Sequence, residues 1–301
     1  MSTKSQLDSL FAIPGRVAIA EGPGGFAQVV VTTPEAEAVI STYAGQVLSF
    51  RPRGQDDLMF LSDTAFYAPG KAIKGGVPVC WPWFGPDPEG KGRPGHGFVR
   101  NRQWELRLTE VTADGPVRVC LGLVDSEETR GIWPHAFDLE LEVLVGTELE
   151  LGLTTRNRGD APFVLGQALH TYFKVGDIGR TEVMGLGGCR YLDKMDGGAE
   201  KRQQGPVTVD AETDRVYLGV GDRLEIVDQS LGRRIAIATS GSTSAVVWNP
   251  WAATAKAMAD LGDDDYKVML CVETCNAEAD TVTLAPGAVH RLGATYSLAA
   301  P

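Results

Sequence analysis

Hydrophobic and polar positions alternate with a period of two along most of this chain. In AFDLELEVLV, Leu139, Leu141 and Val143 fall on one side while Asp138, Glu140 and Glu142 fall on the other. That pattern predicts a strand with one face in a core and the other in water. The Gly146-Thr147 turn leads into ELELGLTTRN, where Leu149, Leu151 and Leu153 repeat the alternation, so the two segments predict an antiparallel hairpin. Similar runs occur at FAQVVVTT, AEAVIST, GQVLSFRPR, QWELRLTEV, VRVCLGLV, RLEIVDQ, RRIAIATS, STSAVVW, YKVMLCVE, DTVTLAP and AVHRLGATYSL.

Short strands recurring about every ten residues, with few helical windows between them, predict an all-β antiparallel sandwich rather than an alternating β-α-β sheet. The clearest helical window is NPWAATAKAMADLG, with Asn249 as N-cap, Pro250 at the first helical position and Gly262 as the stop. A short helix is also expected over SQLDSLF. The chain has no internal repeat, no low-complexity linker and no break in composition, which predicts one domain over residues 1–301.

Composition narrows the function classes. The 301 residues are 43% hydrophobic, as in an ordinary globular protein. With 39 acidic against 28 basic side chains, no broad basic field exists to attract a nucleic-acid backbone or an anionic membrane. The opening MSTKSQLDSLFAIP has no long apolar run, and no stretch approaches the ~20 apolar residues of a membrane span. The expectation is a cytoplasmic protein, a monomer, without nucleic-acid or membrane partners. Five cysteines, Cys80, Cys120, Cys189, Cys271 and Cys275, are odd in number and irregularly spaced. They are expected to be buried, reduced thiols rather than a disulfide framework or a zinc site.

Candidate chemistry is confined to a few positions. Of the four histidines, His290 alternates with Val289 and Arg291 and is expected at a surface or edge, and His135 follows Trp133-Pro134 in a loop. His170 ends the apolar run FVLGQAL beside two aromatics, which suits either a half-buried, hydrogen-bonded histidine or a general acid. Glu273 ends a run in which Val268, Leu270 and Val272 alternate with Met269 and Cys271, so the strand is expected to be covered on both faces. A carboxylate there is either an ion-pair partner for an arginine or a general base whose pKa is lifted by desolvation.

The third candidate is KGGVPVCWPWFGPDPEGKGRPGHGFVRN. Gly75 and Gly76 let the backbone pass close to something bulky, and Pro78, Pro82 and Pro86 stiffen the segment. Trp81, Trp83 and Phe84 offer flat apolar faces that suit a core or the C–H face of a sugar ring. Lys74, His96 and Arg100 bracket the segment with cations, which a purely structural plug does not require.

These segments together resemble the aldose 1-epimerase-like hexose-6-phosphate mutarotases. The likeness is carried by KGGVPVCWPWFG followed by HGFVRN, by LHTYF, by ETDRVY, by VVWNPW with KAMADLGDDDY, and by LCVE, in family order from about residue 39 onward. The resemblance implies a galactose-mutarotase-like β-supersandwich with a few short helices, an open cleft on one sheet, and neither cofactor nor metal. It implies interconversion of the α and β anomers of hexose 6-phosphates, so the partner is a small-molecule sugar phosphate. Carried over by motif, the catalytic histidine falls on His170 and the catalytic glutamate on Glu273. The substrate-contacting aspartate falls on Asp214 and the phosphate-side arginine on Arg100. Lys74 stands where the family often has arginine, which keeps the charge and loses the planar fork. Gly95 stands where some members carry a polar side chain, leaving only backbone to make contact beside His96. Trp83 is expected against the sugar. The competing readings are a non-catalytic sugar-binding protein, a glycoside hydrolase using Glu273 with Asp214, and a regulatory protein on an enzyme scaffold.

Overall fold

The computed structural model describes residues 4–299. The alternating segments form antiparallel sheets throughout. A nine-stranded sheet contains the expected hairpin, Phe137–Val145 paired with Leu149–Asn157, flanked on one side by Val117–Val124 and on the other by Val289–Leu298. In Phe137–Val145 every odd position is buried and every even one half-exposed, as the sequence period requires.

A second sheet of eight strands lies against it, with Met269–Asn276 near its middle. That strand pairs on one side with Ser244–Asn249 and on the other with Gln167–Leu169 and Tyr172–Lys174. Leu270 and Val272 of this strand belong to the same hydrophobic cluster as Leu141, Leu153 and Leu292 of the nine-stranded sheet. Alternate residues Cys271 and Cys275 belong to two smaller clusters on the opposite face. All eight residues of Met269–Asn276 are buried, so the expectation of a strand covered on both faces holds. A four-stranded sheet, Val17–Glu21 through Gln46–Pro52 in sequence order, completes the larger architecture.

Two helical expectations are met with altered ends. The N-terminal helix covers Lys4–Phe11. The second is only Trp251–Ala257, and Gly262 does not stop it. Pro250 rather than Asn249 is the N-cap and Trp251 the first helical residue; Asn249, one position further out, accepts at Oδ1 from the Trp251 N–H at 2.9 Å. Gly262 instead donates its N–H to Asp265 Oδ2 at 2.7 Å, in the loop that follows. Loop hydrogen bonds thus replace the last turn that sequence pattern alone extends.

His290 also departs from expectation. Its strand lies inside the nine-stranded sheet rather than at an edge, and its Nε2 lies 3.1 Å from Asn276 Oδ1 in a half-buried setting.

The inter-sheet core sets the stability scale. Leu141→Ala, at a fully buried position, is expected to destabilise the protein by about 2–5 kcal/mol. Leu144→Ala, on the half-exposed face of the same strand, is expected to cost clearly less. Urea unfolding followed by circular dichroism checks the contrast, and equal losses contradict the assignment of faces.

Candidate functional site

The chemistry-bearing residues converge because two backbone segments are locked together. Gly75 and Gly76 have φ of 115° and 61°. A Cβ on Gly75 would lie 2.5 Å from the Phe60 carbonyl oxygen, and one on Gly76 would lie 2.2 Å from that of Val47. What the two glycines pass so closely is therefore the protein's own backbone. So turned, the chain offers the Gly76 carbonyl to the Tyr172 N–H and the Pro78 carbonyl to the His170 N–H, both at 2.9 Å. Thr171 Oγ1 lies 2.6 Å from the Tyr296 hydroxyl of the opposite sheet. His170 is thus held through its own main chain, the Thr171 side chain and the Tyr172 main chain.

Glu273 comes to it from Met269–Asn276, on the face that Cys271 and Cys275 share. Its Oε1 lies 3.4 Å from His170 Nε2, with only 1% of the glutamate side chain and 9% of the histidine side chain exposed. The imidazole stacks on Tyr172, rings 4.9 Å apart and nearly parallel, and meets the edges of His96 and Trp248 at 5.7 and 6.1 Å. His170 Nδ1 and Glu273 Oε2 are buried without a hydrogen-bond partner.

Burial dominates the electrostatics of this pair. It pushes Glu273 well above the ordinary carboxylate range; the Asp214 charge adds to the push and Arg100 opposes it. It pushes His170 well below its ordinary value, helped by His96, Arg100 and Lys74. Each group is driven toward its neutral form, so the pair holds one proton between them.

The pair opens on a cleft of about 870 Å³, within the roughly 300–1,000 Å³ of small-molecule sites. Lys74, Gly95, His96, Arg100 and Asp214 line the same cleft. Lys74 Nζ lies 3.6 Å from Asp260 Oδ2 and 3.9 Å from Met258 Sδ. Arg100 donates from Nη2 to the Gly95 carbonyl at 3.2 Å and has no carboxylate partner among the described residues. Asp214 is pushed upward by burial, against the pull of Lys194. Lys194 is itself paired with Glu278 at 2.7 Å.

Two expectations need correction. His96 is not one of the cations. Burial first, then Arg100 and Lys74, push it down to about 3, so it is neutral at ordinary pH. The Gly85 N–H donates to its Nδ1 at 3.4 Å, which leaves the ring proton on Nε2. Trp83, expected against the sugar, does not line the cleft. Its ring is buried against Phe98, the Arg93 guanidinium lies over it at 4.2 Å, and its Nε1 donates to the Pro94 carbonyl. Trp81 is likewise internal, donating from Nε1 to Thr155 Oγ1. Phe84 is the aromatic of the three that reaches the cleft.

The other titratable candidates fall elsewhere. His135 packs on Trp133 and Phe163. The five cysteines are free thiols, four of them buried and Cys189 half-buried. Lys194, Trp248 and Met258 line the cleft without having been singled out from sequence. Lys194 sits in a turn, where no hydrophobic period marks it, and Trp248 stands inside a strand run and the VVWNPW motif, to which no site role was attached.

Comparison with known proteins identifies the family and the fold. The profile of the family described as "Aldose 1-epimerase" matches residues 27–297. An Escherichia coli relative named "Putative glucose-6-phosphate 1-epimerase" is 41% identical over 85% of each chain. A crystal structure described as a "putative mutarotase" from Salmonella typhimurium superposes with a TM-score of 0.90 at 34% identity, covering 97% of this chain and 96% of that one. A galactose mutarotase related enzyme from Lactobacillus acidophilus has a TM-score of 0.73 at 14% identity over 91% and 97% of the two chains. The last likeness is one of fold. The expected galactose-mutarotase-like sandwich is therefore the fold observed.

The loop that carries Gly85, Gly95 and His96 is organised by Asp87. Its carboxylate accepts from the N–H groups of Glu89, Lys91 and Arg93 at 2.7–3.2 Å and from Arg93 Nε at 2.9 Å. The Arg93 guanidinium holds this carboxyl well below its ordinary range. Asp87→Asn is expected to speed amide hydrogen exchange across residues 87–96 while the strand amides stay protected. Unchanged exchange in that loop contradicts the role given to Asp87.

Proposed function

Since the chain belongs to the aldose 1-epimerase family, we propose that it interconverts the α and β anomers of hexose 6-phosphates, glucose 6-phosphate foremost. The observation that carries the proposal is the buried His170–Glu273 pair, 3.4 Å apart at the wall of a cleft that also holds Lys74 and Arg100.

Anomer exchange needs a base at the C1 hydroxyl and an acid at the ring oxygen. Glu273, as carboxylate, takes the C1 hydroxyl proton while His170, as imidazolium, protonates the ring oxygen. The bond between C1 and that oxygen breaks, giving the open-chain aldehyde, an isomer of the sugar. Rotation by roughly half a turn about C1–C2 presents the other carbonyl face. On closure the C5 hydroxyl returns its proton to His170 as it attacks C1, and Glu273 protonates the new C1 oxygen. Protons and electrons balance with no net change in the enzyme.

Desolvation assists one half of this cycle. Ring opening converts a charged pair, carboxylate and imidazolium, into a neutral one, which is the direction in which burial drives both groups. The charged and neutral forms of the pair carry the same number of protons, so their exchange needs no proton from solvent.

Arg100 and Lys74 are the proposed partners of the 6-phosphate, Arg100 being free of a competing carboxylate. Asp214 accepts from sugar hydroxyls, neutral His96 and the backbone at Gly95 fix the sugar's position, and Phe84 takes the apolar contact expected of Trp83. A binding protein needs the cations and the aromatic wall but has no use for an acid and a base desolvated together, which favours the enzyme.

Magnetisation-transfer NMR on equilibrated glucose 6-phosphate, with free glucose in parallel, tests the reading. Fast exchange is expected with the phosphate, falling by about 10²–10⁴-fold in Glu273→Gln or His170→Ala with circular dichroism unchanged. Wild-type exchange rates in either variant overturn the assignment, and equal rates on both sugars remove the phosphate role of Lys74 and Arg100.

The pH profile follows from the two shifts. His170 is depressed below 6.5, so the acid limb, where the pair gains a second proton, lies below pH 6.5. Glu273 is raised above 4.5, so loss of the shared proton forms the alkaline limb, displaced upward from an ordinary carboxylate. A plateau of kcat/KM wider than that between an ordinary glutamate and an ordinary histidine is expected, and limbs at the ordinary values of the two groups contradict the opposed shifts.

A further inference from the structure

We propose that Cys271, His170 and Glu273 together form a binding site for a zinc-type divalent cation, and that its occupation shuts the acid–base pair down. One donor atom from each residue, a thiol sulfur, an imidazole nitrogen and a carboxylate oxygen, lies within 4.8 Å of the other two, and all three residues are buried. The arrangement is built into the sheet. Cys271 and Glu273 stand two apart on one strand and so share a face, and Tyr172, opposite Cys271 in the register, is stacked under the His170 ring.

A second observation points to a ligand. Glu273 Oε2, on a side chain only 1% exposed, is buried with no hydrogen-bond partner, an arrangement that native interiors rarely leave unused. His170 and Glu273 line the cleft, which gives an ion a route to them, while Cys271 is fully buried and does not itself line it.

The donor set selects the ion. Magnesium and calcium ask for six or more oxygen ligands, whereas one sulfur, one nitrogen and one oxygen suit Zn²⁺, Co²⁺ or Cd²⁺. Zinc–ligand distances of about 2.0–2.3 Å place donor atoms on the order of 3.5 Å apart, so no donor pair, all within 4.8 Å, closes by more than roughly an ångström on binding. Three protein ligands leave a fourth position for water or a sugar hydroxyl from the cleft. Lys74 and Arg100 act on the same pair and repel a cation, which sets the affinity below that of closed structural zinc sites. The bound ion occupies the lone pairs that the acid–base chemistry requires, so metal and sugar compete. The inhibition rests on the function proposed above; the binding does not.

Metal-stripped full-length protein titrated with Co²⁺ tests the site. A thiolate-to-cobalt absorption band saturating at one ion per chain is expected, retained in Cys275→Ala and absent in Cys271→Ala. Zn²⁺ should quench the band. It should also inhibit anomer exchange in the wild type at least about tenfold more strongly than in Cys271→Ala, since loss of even an outer-shell partner weakens metal binding about 10–100-fold. Should Cys271→Ala not fold, X-ray absorption on the wild-type zinc complex replaces it, with one sulfur and the rest nitrogen or oxygen expected. No band in folded wild type, a band that survives Cys271→Ala, or a zinc shell with no sulfur overturns the proposal. A Cys271-dependent band in a protein that shows no anomer exchange leaves the metal site standing and removes the proposed function.

Discussion

The arrangement at this site depends on one constraint: a carboxyl group and an imidazole are held together inside a sheet where water cannot compensate either. Glu273 sits on a strand buried along its whole length, and His170 is fixed by its own N–H and that of Tyr172 to the carbonyls of Pro78 and Gly76. A buried polar group without full hydrogen bonding costs free energy, and a buried charge costs more. The pair reduces that penalty by sharing one proton, yet Nδ1 and Oε2 remain without partners. Unsatisfied atoms on two ionisable groups that face each other at a cleft mark where folding has been subordinated to chemistry.

The charge distribution follows from the same constraint. The chain carries a formal net charge of −11, but the cleft beside the pair holds Lys74 and Arg100. Charges separated by more than about 8–10 Å of solvent are screened at ordinary ionic strength, so the acidic exterior does not cancel these two. Their effect is visible on His96, which burial and the two cations together hold neutral. A segment that reads as three cations in sequence is therefore two cations and a neutral hydrogen-bonding ring. That difference arises from burial, which no count of residue types contains.

The fold was legible where the period was long. Phe137–Val145 and Leu149–Asn157 follow the alternation residue by residue because one face is core and the other solvent. Four strands between Thr181 and Val209, Thr181–Met184, Arg190–Asp193, Ala199–Arg202 and Val207–Thr208, were not marked by any such run. They are two to four residues long, too short for a period to declare itself, and their pairing is decided by tertiary contact. In the site, His170, Glu273, Asp214, Lys74, Gly95, His96 and Arg100 all come to one cleft from the positions that motifs marked. Trp83 does not, because an aromatic side chain beside a cleft and one beneath it look alike in sequence. The Arg93 guanidinium and the Pro94 carbonyl are what hold it inside. Lys194 was invisible for the opposite reason, lying in a turn whose direction is set by Asp193 accepting from the Met195 N–H.

The Met269–Asn276 strand separates two tasks by its own geometry. Leu270 and Val272 face the nine-stranded sheet and belong to its core, while Cys271, Glu273 and Cys275 face the other way. Successive side chains in a strand point to opposite faces, so adhesion and chemistry occupy alternate residues without competing for position. The hydrophobic contacts of Leu270 and Val272, with the hydrogen-bond ladders to Ser244–Asn249 and Gln167–Leu169, offset the desolvation of Glu273. Glu273 therefore draws its stability from residues that never touch a ligand. Its carboxyl can be exchanged for an amide without loosening the strand that carries it, because nothing on the core face depends on its charge.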